Sequence, residues 1–249
     1  MITLRDVQQF CERANSVRSA DQLKDLLHEI SARMGFRYFA LTHHIDLRSN
    51  PAGGVQIVNY PQGWIDRFYE KRLFATDPIH RASRTTSIGF CWSDVDRMIT
   101  LSAGDRAVLA NAHDAGIGNG FTIPANVPGE TNGSCSFAME DGLELDSEQL
   151  PLVQLTGAFA FESACRLSRP TLKADDEVPR LTERQIECVV LVARGKTDWE
   201  ISRILGVSHE TVIQHIKDAR DRYGVTKRTM LTIRALFDGS ISFADILSR

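Results

Sequence analysis

At 249 residues, with 43% hydrophobic residues and a net charge of −3, the chain has enough apolar material for one large domain or two. No apolar run approaches the roughly 20 residues that cross a membrane, and the polar start MITLRDVQQFCERANS lacks a signal-peptide core; a cytoplasmic protein with no membrane partner is expected. Cys11, Cys91, Cys135, Cys165 and Cys188 are scattered without a C-x-x-C pair, which fits reduced, buried thiols better than a disulfide or zinc framework.

In chain order, helical spacing covers residues 4 to 16 and 19 to 34, the second with Leu23, Leu26, Leu27, Ile30 and Met34 on one face. RYFALTHHIDL and GVQIVNYP read as short strands, the second entered after Pro51, Gly53 and Gly54. His43 and His44 are neighbours on a strand, so they face opposite ways and make a poor metal pair. The stretch NYPQGWIDRFYEKRLFATDP then gathers Tyr60, Trp64, Phe68, Tyr69 and Phe74 before Asp77, which is fixed against Pro78. Trp64 to Arg72 has a helical period that puts Trp64, Ile65, Phe68 and Tyr69 on one face. An ordinary core helix fits those rings; so does one wall of a small-molecule pocket. After Gly120, FTIPANVP and SCSFAME return to strand patterns. LPLVQLTGAFAFESACRLS reads as a long helix with an apolar stripe through Leu155, Phe159 and Ala164.

Helices, strands and a closing helix predict an α/β/α sandwich over residues 1–167. SRPTLKADDEVP has two prolines and an acidic run, marking a linker at 168–178. Residues 179–249 read as a small all-α domain of four helices, which makes the chain α+β overall. From Leu181 onward there are 11 Lys+Arg against 9 Asp+Glu, a balance of +2 against −5 for the rest. That asymmetry is small, and its sign suits a nucleic-acid module.

The helix signals there are dense. Thr182 with Gln185, and Thr197 with Glu200, form two capping boxes, and Leu181 and Ile186 occupy staple positions. Gly195 and Lys196 turn the chain into a helix from Asp198 to Leu205, apolar at Ile201, Ile204 and Leu205, which Gly206 ends. Ser208 caps a third helix that runs to Tyr223, with Val212, Ile216, Ala219 and Tyr223 in one buried stripe. This is helix-turn-helix order. The outward face offers Glu210, Ile213, Gln214, Lys217 and Asp218. Gln214 suits adenine and Lys217 suits guanine, while Thr211, His215 and Lys227 or Arg228 suit phosphates. A solvated helical interaction module fits the same spacing, and the acids Glu210 and Asp218 favour it slightly.

The residues themselves go further. L-T-x-R-x-x-E at 181–187, G-K-T at 195–197, E-I at 200–201, T-V-x-x-H at 211–215 and G-V-x-x-R at 224–228 resemble the LuxR-type DNA-binding domain. That resemblance assigns base reading to positions 213, 214 and 217, and makes Arg228 to Phe237 a dimerisation helix. A receiver domain before it is not expected, because the candidate strands end in His or Asn-Tyr-Pro where an acidic pair belongs.

The spacing of Tyr60, Trp64, Phe68 and Asp77-Pro78, then Trp92 in GFCW, Gly120 in NGFTIP and Ser136, resembles the autoinducer-binding domain of the quorum-sensing branch. It implies an N-acyl-homoserine lactone as signal ligand, no cofactor or catalysis, a homodimer on two-fold-related double-stranded DNA, and RNA polymerase as partner. In that setting Asp77 accepts the ligand amide N–H, Trp64 donates to the lactone carbonyl, and Tyr60 with Ser136 donates to the amide carbonyl. Phe68, Tyr69 and Trp92 form apolar wall. The family commonly has Tyr where this chain has Phe68, which leaves an aryl tail, a non-lactone ligand or the lack of a partner synthase open. An esterase built on Ser136, a His and Asp77 is disfavoured, because Ser136 lies in no G-x-S-x-G elbow.

Overall fold

The computed structural model describes residues 2–48, 54–126, 131–168 and 179–247. By contacts the chain divides into two compact units, Met1–Pro170 and Thr171–Arg249. Ser168 is the last residue of a helix, and the remainder of the expected linker, 169–178, lies outside the described residues.

In the first unit, Thr3 caps α1 (Leu4–Ser16) through a capping box with Asp6, and Ser19 caps α2 (Ala20–Arg33). β1 (Tyr38–His43) and β2 (Gln56–Val58) follow, then α3 (Gln62–Glu70), the short α4 (Pro78–Ala82) and β3 (Phe90–Cys91). The unit continues through α5 (Val95–Met98), α6 (Ala103–Asp114), β4 (Ile117–Ala125), β5 (Gly133–Glu140) and α7 (Leu150–Ser168). The strands form one antiparallel sheet in the order β2-β1-β5-β4-β3.

Strand alternation makes the two sheet faces unlike. Phe39, Leu41, Phe121, Ile123, Cys135 and Phe137 point one way and share a core with Leu23, Leu27 and Phe161 from α2 and α7. Burying each such Leu or Phe contributes about 1.5–3 kcal/mol. The intervening residues, Ala40, Thr42, Gly120, Thr122, Ser134, Ser136 and Ala138, are small or polar and point the other way. There α3 and α6 cover the sheet, with Trp64 and Val108 packed against Ile117 and Ala138. Small side chains under large helices leave room for a cavity on this face, and the expected α/β/α sandwich is what forms.

Two local expectations change. Leu155 and Phe159 of α7 are exposed, and Val153, Ala160, Phe161 and Ala164 are the buried face. This helix is apolar on both sides, so its pattern does not select the face that packs. The helix expected from Trp64 to Arg72 starts and stops two residues earlier, and Arg72 sits in the left-handed region at φ 52°. β3 and α6 had no clear signature in the sequence.

In the second unit α8 (Glu183–Ala193), α9 (Asp198–Leu205), α10 (His209–Arg222) and α11 (Arg228–Phe237) pack around Cys188, Val189, Ile201, Val212, Ile216 and Leu231. Both expected capping boxes are present, and Gly206 (φ 67°) ends α9 in the left-handed conformation that glycine tolerates without penalty. A fifth helix, α12 (Phe243–Leu247), follows the four expected. Ile204 points outward and is exposed, unlike Ile201 and the half-buried Leu205.

Candidate functional site

On the small-residue face of the sheet, α3, α4 and α6 enclose a cavity of about 90 Å³. Tyr60, Trp64, Phe68, Asp77, Trp92 and Ser136, six of the eight residues expected from sequence, line it. The other two, Pro78 and Gly120, stand behind. Pro78 is the first residue of α4, where its fixed φ suits the helix and its missing N–H costs nothing. A Cβ on Gly120 would meet Trp92 Cε2 at 2.7 Å and the Phe137 carbonyl oxygen at 2.8 Å. Gly120 therefore makes room for the Trp92 indole to lie against the sheet.

Asp77 is the N-cap of α4. Its Oδ1 accepts from the backbone N–H groups of Ile79 (2.8 Å) and His80 (3.0 Å). The carboxylate is thereby fixed in direction, while Oδ2 has no hydrogen-bond partner among the described residues. Buried as Asp77 is, that oxygen is a strong acceptor awaiting a donor. Desolvation, reinforced by the nearby charge of Asp77, pushes the Tyr60 hydroxyl well above its ordinary pKa. Tyr60 is thus neutral and keeps its proton to donate. The Trp64 indole N–H likewise has no partner among the described residues, although the side chain is buried.

Trp92 does something different from the apolar wall expected of it. Its Nε1–H donates to Thr122 Oγ1 at 2.8 Å, and the Thr122 hydroxyl lies 2.8 Å from that of Ser136. The register aligns Val58, Ala40, Ser136, Thr122 and Phe90 in one row across the sheet. Thr122 is fully buried and receives the indole proton, so its own proton goes to Ser136. Ser136 then has its hydrogen free for the cavity. Its hydroxyl is partnered by a threonine and not by an imidazole, so no nucleophile-base pair forms there.

Sequence reasoning missed Thr122, whose role depends on a cross-strand register. It also missed Thr42, Gln56 and His80 in the lining. Gln56 Nε2 donates to the Tyr69 hydroxyl, and the Arg48 guanidinium lies 4.8 Å over the Tyr69 ring while pairing with Asp66 at 2.7 Å. The two histidines face opposite ways, as expected. His43 Nδ1 accepts from the Val55 N–H at 2.8 Å, with its ring edge-on to Phe161; His44 stacks on His80 at 3.7 Å.

In the second unit, α10 buries Val212, Ile216 and Ala219 and exposes Ile213, Gln214 and Lys217. Gln214 Nε2 donates to Asp218 Oδ1 at 2.6 Å, which ties an expected base reader to an acid one turn on. Thr211 sits beside the Ser208 cap, with hydroxyls 2.9 Å apart; His215 is half-buried, and Lys227 is exposed at the start of α11. Arg228 is already engaged: its guanidinium pairs with Asp198 at 2.5 Å and donates to the Lys196 carbonyl at 2.6 Å. It pins α11 to the start of α9.

Residues 19–164 match the family described as autoinducer binding domain, and residues 179–235 match the luxR family of bacterial regulatory proteins. Over 234 residues the chain is 27% identical to the transcriptional activator protein AhyR of Aeromonas hydrophila, covering 93% of this chain and 90% of AhyR. Among solved structures it resembles Escherichia coli SdiA in complex with octanoyl-rac-glycerol, with 20% identity, 97% of this chain and 98% of that one covered, and a TM-score of 0.62. It also resembles CepR2 from Burkholderia cenocepacia, an N-acylhomoserine lactone dependent LuxR family factor, at 18% identity over 68% of this chain and 96% of that one, with a TM-score of 0.51. These likenesses establish the fold, and the two family matches together span the sheet unit and the helix-turn-helix unit. The chain belongs to the LuxR family of bacterial transcriptional regulators that carry an autoinducer-binding domain.

Proposed function

We propose that the cavity binds an N-acyl-homoserine lactone and that the protein, as a homodimer, reads two-fold-symmetric promoter DNA in response. The carrying observation is that the Tyr60 hydroxyl, the Trp64 indole N–H, the Ser136 hydroxyl and Asp77 Oδ2 line one cavity: three donors and one acceptor. An acyl-homoserine lactone has one N–H and two carbonyls, the complementary set. Asp77 takes the amide N–H, Trp64 donates to the lactone carbonyl, and Tyr60 with Ser136 donates to the amide carbonyl. Each bond contributes about 0.5–3 kcal/mol, and an unmatched partner would cost more.

On this reading residues 1–167 are the ligand domain, 168–178 the linker and 179–249 the DNA-binding domain. Ile213, Gln214 and Lys217 meet base edges in the major groove, while Thr211, His215 and Lys227 meet phosphates. The exposed Met230, Ile233 and Phe237 on α11, at i, i+3 and i+7, support a dimer contact through that helix, and Leu155 and Phe159 on α7 support another. RNA polymerase is the further partner and the cytoplasm the site of action; no helix among the described residues is long and apolar enough to cross a membrane.

Two observations favour a second reading. Phe68 lacks the hydroxyl common at its position, and SdiA was solved with octanoyl-rac-glycerol, which is not a lactone. A receptor without a partner synthase, answering an aryl-homoserine lactone or another amphiphile, fits both facts. Calorimetric titration of the full chain with N-octanoyl-homoserine lactone, beside mass spectrometry of ligand extracted from the purified protein, separates the readings. Micromolar or tighter binding together with an extract that is an N-acyl-homoserine lactone with an aliphatic chain supports the first. No heat with any acyl-homoserine lactone, and a non-lactone extract, would overturn it.

A further inference from the structure

His80 has no part in the head-group contacts, yet it lines the same cavity and is 8% exposed. It lies three residues after Asp77, with its backbone N–H held by Asp77 Oδ1. One face of its ring stacks on His44 at 3.7 Å with the planes 12° apart, and Phe68 meets it edge-on at 5.8 Å. His80 Nδ1 is 3.3 Å from the Phe74 carbonyl oxygen. A carbonyl only accepts, so Nδ1 carries the hydrogen. In the neutral ring Nε2 is then a bare lone pair, and it has no hydrogen-bond partner among the described residues.

The neighbours do not supply a donor. Phe68 presents only C–H to the ring. His44 directs its Nε2 to Ser134 Oγ, 2.9 Å away, and burial holds its ring neutral. The register also fixes where this acceptor stands. Ser134 and Ser136 project from the same face of β5, roughly 7 Å apart. Trp92 covers Gly120, whose strand partner is Ala138, on one side of Ser136; His80, through His44 and Ser134, lies on the other. With the lactone beside Trp64 and the amide carbonyl at Ser136, His80 faces the first carbons of the acyl chain.

We propose that His80 is a specificity-determining residue that accepts a hydrogen bond from a hydroxyl on the acyl chain, so that the receptor selects 3-hydroxyacyl-homoserine lactones. This rests on the lactone reading above. An unsubstituted chain covers the cavity-facing Nε2 and leaves it unpaired, and a 3-oxo group sets a second acceptor against it. A hydroxyl satisfies it. The missing hydroxyl at Phe68 fits the same logic: with no donor among the described residues, the acceptor is left for the ligand.

The test is calorimetric titration of the full chain at pH 8. The probes are N-hexanoyl-, N-(3-oxohexanoyl)- and N-(3-hydroxyhexanoyl)-homoserine lactone. The expected order is 3-hydroxy tightest, by about fivefold over the unsubstituted chain, with 3-oxo weakest. His80→Phe keeps a ring on His44 and removes the acceptor, so the ratio of hydroxy to unsubstituted affinity should fall to near one. His80→Gln puts an amide oxygen near the place of Nε2 and should keep part of that ratio. Equal affinities in the unaltered protein, a 3-oxo preference, or a preference that survives in His80→Phe would overturn the assignment. Binding of lactones without a hydroxyl preference sinks only the role of His80. If no lactone binds at all, the lactone reading fails and takes this one with it.

Discussion

The hydroxyl of Thr122 lies 2.8 Å from that of Ser136, on adjacent strands, with Thr122 already receiving the Trp92 indole N–H. Two substitutions in this chain of hydrogen bonds should therefore differ in kind. Thr122→Val strands the Trp92 N–H and removes the donor that holds the Ser136 hydroxyl turned to the cavity, so stability should drop by about 1–3 kcal/mol and ligand affinity should fall with it. Ser136→Ala leaves the Trp92–Thr122 bond in place and should lower affinity with little change in melting temperature. Thermal melts beside titration with N-octanoyl-homoserine lactone check both. Equal loss of stability in the two variants would sink the relay.

Asp77 serves two ends with its two oxygens, and the variants can separate them. Asp77→Asn keeps an oxygen for the N–H groups of Ile79 and His80 but loses the charge that a ligand amide would meet. Ligand affinity should fall about tenfold or more, with the fold nearly unchanged. Asp77→Ala also removes the cap of α4 and should cost about 1 kcal/mol of stability besides. A melting temperature that falls as far in Asn as in Ala would show that the cap depends on charge.

Much of this was legible in the sequence because local chemistry fixed it. Thr182, Thr197 and Ser208 mark their helix starts by side chains that cap within three residues, and each does so in the structure. The one-face grouping of Trp64, Ile65, Phe68 and Tyr69 also holds, since all four line the cavity. Long-range register was the limit. Thr122 matters because it lies opposite Ser136, and His80 because His44, one residue past the end of β1, reaches its ring; neither relation is a spacing within one element. α6 escaped notice for another reason. Its sequence AGDRAVLANAHD buries only Asp105 and Val108, too little for a periodic signal. The two apolar sides of α7 misled in the opposite direction, by offering more stripe than the core uses.

The stacked histidines predict a pH dependence of folding. Burial, then the charges of His80, Arg84 and His43, lowers the pKa of His44 below its ordinary value. The unfolded chain therefore binds a proton near pH 6.5 that the folded form refuses. The stabilising term is fully present above that pH and is lost as pH falls below it, by up to about 1.4 kcal/mol per pH unit. Urea midpoints of the full chain between pH 5 and pH 8 should show this slope, and His44→Gln should flatten it. An unchanged slope in that variant would place the titrating group elsewhere.

On the DNA side, three basic residues expected at the interface should part company. Arg228 is spent on Asp198 and the Lys196 carbonyl, so Arg228→Ala should lower the melting temperature of the helical domain and leave the salt dependence of DNA binding as it was. Lys227 is exposed with no ion pair among the described residues. Lys227→Ala should weaken binding to all sequences alike and reduce the salt slope by about 1. Lys217 projects from the outward face of α10, and Lys217→Ala should relax preference at one position of the site, at a cost of about 1–3 kcal/mol against the preferred base. Selection of binding sites from random duplexes, repeated at two salt concentrations, reads all three. If Lys217→Ala left the selected sequence intact and shifted only the salt slope, Lys217 would be a phosphate contact, and base reading would fall to Ile213 and Gln214, the latter already held by Asp218.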